Sequence, residues 1–121
     1  MNTLKNILFV ALGGALGSTF RYCLTLLSSW LTISGEWATL AANIIGSFLI
    51  GLAVPNATSP YLLFFTVGVC GGFTTFSTFS LQTIKMFQNG QYGVGLLYMA
   101  GTLILSLSMV VCGIWCRQKI W

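Results

Sequence analysis

The sequence has very few charged residues. Its 121 residues include one acidic side chain, five lysines and arginines, and no histidine. Charged residues make up 5% of the chain, whereas an ordinary soluble domain has roughly 25%. Hydrophobic residues make up 56%. This composition excludes a soluble domain and predicts a small integral membrane protein.

The scarcity of titratable groups also limits the chemistry. With Glu36 as its only acid and no histidine, the chain lacks candidates for acid–base or nucleophilic catalysis. We therefore predict that the protein is not an enzyme. The four cysteines are interpreted as inert residues of apolar helices. A soft-metal site at Cys112 and Cys116, one helical turn apart, is the alternative.

Four apolar stretches are long enough to cross a bilayer, which requires about 20 residues. They predict a single all-α transmembrane domain over residues 1–121. Three short loops are expected, "SGEWA" (with Glu36), "PNATSP" and "QNGQ", and the formal glycosylation acceptor at 56–58 is interpreted as a chance match. The predicted helices cover about 4–31, 38–54, 61–87 and 92–116.

The few cations give a weak signal for membrane orientation. With four spans, Lys5, Arg117 and Lys119 lie on the side of both termini, and Lys85 lies on the other side with Arg21. This three-to-two distribution is only a slight positive-inside bias. We therefore expect that the chain can insert in both orientations.

Small residues recur at the four-residue spacing that allows helices to approach closely in membranes. Generic packing explains any one pair, but several pairs together predict a tight assembly that extends to an oligomer. The pairs are Gly13 and Gly17, Ala42 and Gly46, Ser47 and Gly51, and Gly68 and Gly72.

Polar side chains also recur at helical spacing inside three spans, which predicts stripes on one face of each helix. A single stripe is explained by hydroxyls that bond their own i−4 carbonyls, but three stripes favour a polar pathway. The stripes offer hydrogen-bond donors and the edges of phenyl rings, and this lining suits an anion. They contain no carboxylate, which argues against a cation-coupled transporter. The stripes are Thr39, Asn43 and Ser47; Phe76, Phe79, Ser80 and Thr83, with Thr75 one turn before Phe79; and Tyr98, Thr102 and Ser106.

The segment "GVCGGFTTFSTFS" (68–80) predicts a break at the centre of the third helix. Adjacent Gly71 and Gly72 are poor helix formers, each costing about 1 kcal/mol relative to alanine. A break at membrane depth needs protein, water or an ion to satisfy its backbone groups. Its carbonyls can hold a hard monovalent cation, and the next half-helix offers its positive end to an anion.

Three segments together resemble the Fluc, or CrcB, family of microbial fluoride channels: "GGALGSTFRY" (13–22), "TLAANIIGSFLIG" (39–51) and "GVCGGFTTFSTFS" (68–80). The order of the segments and the four helices match over essentially the whole chain. The resemblance implies an antiparallel, dual-topology homodimer in the cell membrane of a microbe. It also implies passive export of fluoride from the cytoplasm, which reduces fluoride toxicity, and a structural sodium ion at the dimer centre.

The resemblance also implies roles for individual residues. Backbone carbonyls of Gly71 and Thr74 from both subunits would bind the sodium ion, and Arg21 would lie near an aqueous vestibule. The ring edges of Phe76 and Phe79 would face fluoride. The other expected pathway residues are Asn43, Thr39, Ser80, Tyr98, Thr102 and Ser106. The chain departs from the family at Ala38, where glycine is frequent, and this affects only local packing.

Two other functions remain compatible with four short helices. A small multidrug-type exporter has the same size and helix number, although the absence of an intramembrane acid argues against it. A scaffold subunit without transport activity would not need aligned polar stripes.

Overall fold

The computed structural model of the protein describes residues 2–53 and 59–120. Within these residues every regular element is helical, and four segments are long and apolar enough to cross a membrane. The predicted all-α, four-span architecture is therefore confirmed. The acceptor motif at 56–58 and most of the "PNATSP" loop lie outside the described residues. The four spans are Thr3–Trp30, Gly35–Ala53, Pro60–Gln88 and Tyr92–Ile120.

The first, second and fourth spans are continuous helices, which we name α1 (Thr3–Trp30), α2 (Gly35–Ala53) and α6 (Tyr92–Ile120). The third span is divided into several elements. It begins with α3 (Pro60–Leu63), in which proline occupies the first turn and the Ser59 side chain accepts a hydrogen bond from the Leu62 N–H. A π-helical stretch (Phe64–Cys70), α4 (Gly71–Phe73) and α5 (Phe76–Gln88) follow.

The start of the second span corrects one prediction. Helix α2 begins at Gly35, three residues before the predicted start, so Glu36 lies in the first helical turn and not in a loop. The Trp37 N–H donates to the Ser34 carbonyl at 3.2 Å and closes this turn. A carboxylate in the first turn is also favoured by the positive end of the helix dipole.

The break that was predicted over 71–74 and the threonine after it is confirmed in the third span, but only its second part leaves the helix. Gly71 and Gly72 remain helical, and the chain is extended at Thr74 (φ −79°, ψ 157°) and Thr75 (φ −148°, ψ 121°). Threonine is β-branched and favours this extended backbone conformation. Gly72 has a packing role instead, since a Cβ there would lie 2.7 Å from the Gly14 carbonyl oxygen.

Glycines join the helices into two tight pairs. A Cβ at Gly13 or Gly17 would collide with the backbone carbonyl of Phe64 or Val69, so α1 lies directly against the first half of the third span. At the opposite side, a Cβ on Gly113 would collide with the carbonyl of Phe48, which brings α6 against α2. Such close backbone approach is what small residues permit in membranes, and it confirms the predicted packing role of Gly13 and Gly17. Gly113 was not among the predicted pairs.

Two adjacent glycines on α1 provide a matched test of this packing. A Cβ at Gly13 would meet rigid backbone, whereas a Cβ at Gly14 would meet nothing within 4 Å. We expect Gly13→Ala to lower the stability of the protein by about 1–3 kcal/mol through overpacking. Gly14→Ala should leave stability unchanged or raise it by up to ~1 kcal/mol through helix propensity.

The measurement is thermal or denaturant unfolding of both variants in the same detergent. Equal stability of the Gly13→Ala and Gly14→Ala proteins would show that α1 does not pack through Gly13.

Candidate functional site

A cavity of about 300 Å³ lies beside the break in the third span. We call it the break cavity. It is formed where α2, the third span and α6 meet, and its wall combines hydroxyls, an amide and phenyl rings. The predicted site residues that line it are Asn43, Gly71, Thr74, Phe76, Phe79, Thr102 and Ser106.

Asn43 holds the break in place. Its side-chain Oδ1 accepts a hydrogen bond from the Thr75 N–H at 2.7 Å, and its Nδ2 donates to the Thr75 carbonyl at 3.0 Å. The amide therefore pairs with both backbone groups of a buried residue that belongs to no helix. Without this pairing, each backbone group would be left unsatisfied at membrane depth, where the cost is several kcal/mol.

The same break starts a new helix whose amino end borders the cavity. The Thr75 Oγ1 accepts a hydrogen bond from the Thr78 N–H at 3.2 Å and caps α5. Helix α5 has 13 residues, so its dipole places partial positive charge at Phe76 and Ser77. This positive end makes the wall of the cavity favourable for an anion.

Two hydroxyls at the cavity have no hydrogen-bond partner among the described residues. The Oγ1 of Thr102 and the Oγ of Ser106 are both buried and unpaired, and both residues line the break cavity. Thr102 is only 4% exposed. A buried hydroxyl without a partner is costly, so these groups need a water molecule or a ligand in the cavity. They are donors, and an anion is a suitable acceptor.

The other predicted hydroxyls are already paired. Thr39 donates to the Gly35 carbonyl at 3.2 Å, Ser80 to the Phe76 carbonyl at 2.9 Å, and Thr83 to the Phe79 carbonyl at 2.8 Å. These are the bonds to i−4 carbonyls that explain a single polar stripe without a pathway. Neither Thr39 nor Ser80 lines the break cavity, so the structure separates them from Thr102 and Ser106.

Two phenylalanines at the start of α5 differ sharply in burial. Phe76 is 74% exposed in the single chain, and Phe79 is 6% exposed. Their ring centroids lie 5.6 Å apart with an interplanar angle of 57°, and Phe79 lies 5.3 Å from the ring of Tyr98. Tilted rings present positive edges toward their surroundings, and such edges attract anions.

Gln82 is a site residue that the sequence analysis missed. The Tyr98 hydroxyl donates to Gln82 Oε1 at 2.7 Å, which joins α5 to α6 beyond the break cavity. This bond uses the hydroxyl proton of Tyr98 and orients the Gln82 amide. The spacing of three residues from Phe79 places Gln82 on the same face of α5, and this was the available signal.

Arg21 binds the backbone at the end of the first half-helix. Its Nε donates to the Gly72 carbonyl at 3.1 Å. This places positive charge at the negative end of α4 and ties α1 to the break. Half-buried Arg21 does not line the break cavity.

Two other carbonyls at the break remain available. Among the hydrogen bonds between described residues, none reaches the carbonyl oxygens of Gly71 and Thr74, whereas Cys70 O accepts from both the N–H and the hydroxyl of Thr74. Carbonyl oxygens are suitable ligands for a hard cation. Within the described residues no group of three or more His, Cys, Asp or Glu side chains is placed to hold a metal ion.

Comparisons with known proteins identify the family of the chain. A family model described as "CrcB-like protein, Camphor Resistance (CrcB)" matches residues 8–114. A fluoride-specific ion channel FluC of Agrobacterium fabrum is 44% identical, with 90% of this chain and 93% of the relative covered. Proteins of the same name from Rhodospirillum rubrum (46%; 89% of this chain and 88% of the relative) and Thermus thermophilus (45%; 91% and 93%) are similarly close.

These matches cover nearly the whole chain, and their sequence identities are high enough to establish family membership. They confirm the resemblance that the three glycine-rich and aromatic segments predicted. They also confirm that the protein is a transporter rather than an enzyme. The chain belongs to the CrcB-like family.

Proposed function

We propose that this protein is a fluoride-selective channel that lets fluoride leave the cytoplasm. The unpaired hydroxyls of Thr102 and Ser106 in a cavity without carboxylates are the observation that carries this function. The relatives from three bacteria are named fluoride-specific ion channels, and this name supports the same ion here.

The break cavity offers several groups that favour a small anion. Besides the two hydroxyls, the positive end of α5 and the ring edges of Phe76 and Phe79 border it. Fluoride is small and strongly hydrated, so several hydrogen-bond donors must replace its water. The described cavity wall holds no carboxylate that would repel the ion.

Passive transport is sufficient for export. Fluoride that enters a cell as neutral HF ionises in the less acidic cytoplasm, and the ion does not cross the lipid again. A channel then lets the ion leave down its gradient without coupling to another ion. We therefore place the protein in the cell membrane of a microbe, where it reduces fluoride toxicity.

The test is fluoride efflux from liposomes that contain only the purified protein. We expect rapid efflux of fluoride and at least ~10²-fold slower efflux of chloride. The reason is that the hydrogen-bond donors of the cavity can replace the hydration water of a small anion but not that of a larger one. Equal chloride flux, or no fluoride flux, would refute the channel. Proton-driven uptake of an organic cation would instead support the multidrug-type exporter, and no flux of any solute would support the scaffold.

The unpaired hydroxyls provide a sharper test with a matched control. Thr102→Val removes a hydroxyl at the cavity with little change of shape, and we expect fluoride flux to fall about 10-fold or more, since a lost donor costs about 1.5–3 kcal/mol for a charged acceptor. Ser106→Ala should act in the same direction. The control is Thr83→Val, because Thr83 is equally buried but its hydroxyl is bonded to the Phe79 carbonyl outside the cavity.

Efflux rates of the three variants, normalised to the amount of folded protein, make this comparison. An equal loss of fluoride efflux in Thr83→Val and Thr102→Val would mean that the two hydroxyls affect efflux only by stabilising the fold and not by binding the ion.

We also propose that two chains assemble as an antiparallel homodimer. One chain leaves Phe76 74% exposed beside the break cavity, so a second copy would complete the wall that the single chain leaves open. The weak charge bias of Lys5, Arg117 and Lys119 against Lys85 is compatible with insertion in both orientations.

A structural sodium ion at the dimer centre completes the proposal. The carbonyls of Gly71 and Thr74 fit such an ion because the described residues supply neither with a hydrogen-bond donor. When bound, the ion would supply positive charge that stabilises the break and the contact between subunits. The hydrogen bonds of Asn43 and Arg21 keep the neighbouring backbone in place.

Replacement of sodium tests this site. We expect fluoride efflux to fall at least ~10-fold when N-methylglucamine replaces sodium during purification and assay, and to recover when sodium is restored. The dimer fraction, measured by cross-linking, should fall in parallel. Unchanged flux and unchanged dimer in sodium-free buffer would exclude a sodium ion that stabilises the assembly.

A further inference from the structure

A second cavity, of about 600 Å³, lies between the start of α2 and the amino-terminal half of α6. We call it the outer groove. Ser34 and Gln91, which precede α2 and α6, place its mouth at the end of the spans, where the membrane meets water. Its inner part is lined by Tyr98 and Thr102.

The outer groove and the break cavity meet at Thr102. This residue lines both, and its hydroxyl has no partner. Tyr98, in the wall of the outer groove, packs its ring against Phe79 in the wall of the break cavity. The outer groove therefore reaches from the end of the spans to a residue of the break cavity, which makes it a candidate approach to the break from this end.

The outer groove contains the only acidic residue of the whole sequence. Glu36 lies in its wall, is half-buried, and stands in the first turn of α2. No lysine or arginine lines the groove to neutralise it. The carboxylate therefore places a negative charge at the mouth of the outer groove, whereas the break cavity offers hydroxyl donors and the positive edges of phenyl rings.

We propose that Glu36 is a rate-determining charge at this mouth, which slows the arrival of anions by electrostatic repulsion. The proposal rests on the fluoride channel proposed above. A like charge at the water-facing mouth of the groove lowers the local concentration of the ion and hence the rate at which it arrives. A high fluoride concentration offsets this depletion, so Glu36 limits flux more at low fluoride than at saturation.

The test is the efflux rate of Glu36→Gln at low fluoride concentration and low salt. We expect the rate to rise about two- to fivefold at ~10 mM ionic strength, where the Debye length is about 30 Å, and the gain to disappear near 1 M, where it is about 3 Å. Glu36→Asp keeps the charge and should stay close to the original protein. Lys85→Gln removes a cation from α5 outside the groove but at the same end of the spans, so it should not raise the rate.

A gain in Glu36→Gln that persists at high salt would overturn the electrostatic role, because it would reflect a change of shape. An unchanged or lower rate at all salt concentrations would also overturn it. These outcomes are distinguishable from failure of the channel itself, since the original protein would still pass fluoride and exclude chloride in the same liposomes.

Discussion

The amide of Asn43 and the backbone of Thr75 form the pair of hydrogen bonds on which the rest of the structure depends. Two extended threonines interrupt a helix at membrane depth, where lipid offers no donors or acceptors. Asn43 satisfies both backbone groups of Thr75 and does so from α2, the neighbouring helix. The second half-helix can then begin at Phe76. This starting point places the positive end of the helix and its two phenyl rings beside the cavity.

Hydropathy alone was enough to predict the helix count and most helix ends. Four apolar runs and few charges predict four spans because the bilayer fixes their length. The start of α2 was missed since Glu36 looks like a loop residue, although a carboxylate is favoured in the first helical turn. The break was expected to begin at Gly71 and Gly72 because intrinsic propensity penalises glycine, but both remain helical, and Gly72 packs against α1.

Tertiary contacts decided which predicted site residues share the cavity. Helical spacing grouped Thr39, Thr102 and Ser106 as equal members of polar stripes, but spacing does not reveal which hydroxyl bonds its own helix. Thr39 does so, whereas Thr102 and Ser106 have no partner. The spacing from Phe79 indicates the helix face on which Gln82 lies, but its partner Tyr98 is 16 residues away and is known only from the tertiary structure.

The glycine contacts described for the fold have a mechanical consequence. Backbone touches backbone between α1 and the first half of the third span, and again between α2 and α6, so neither pair can open without losing many contacts at once. The break cavity lies between these two rigid bodies. Asn43 and Thr75 connect them, one residue on each side. The width of the cavity therefore depends in part on two hydrogen bonds of one amide, and in part on Gly46 of α2, which lies directly against the Thr74 side chain at the break.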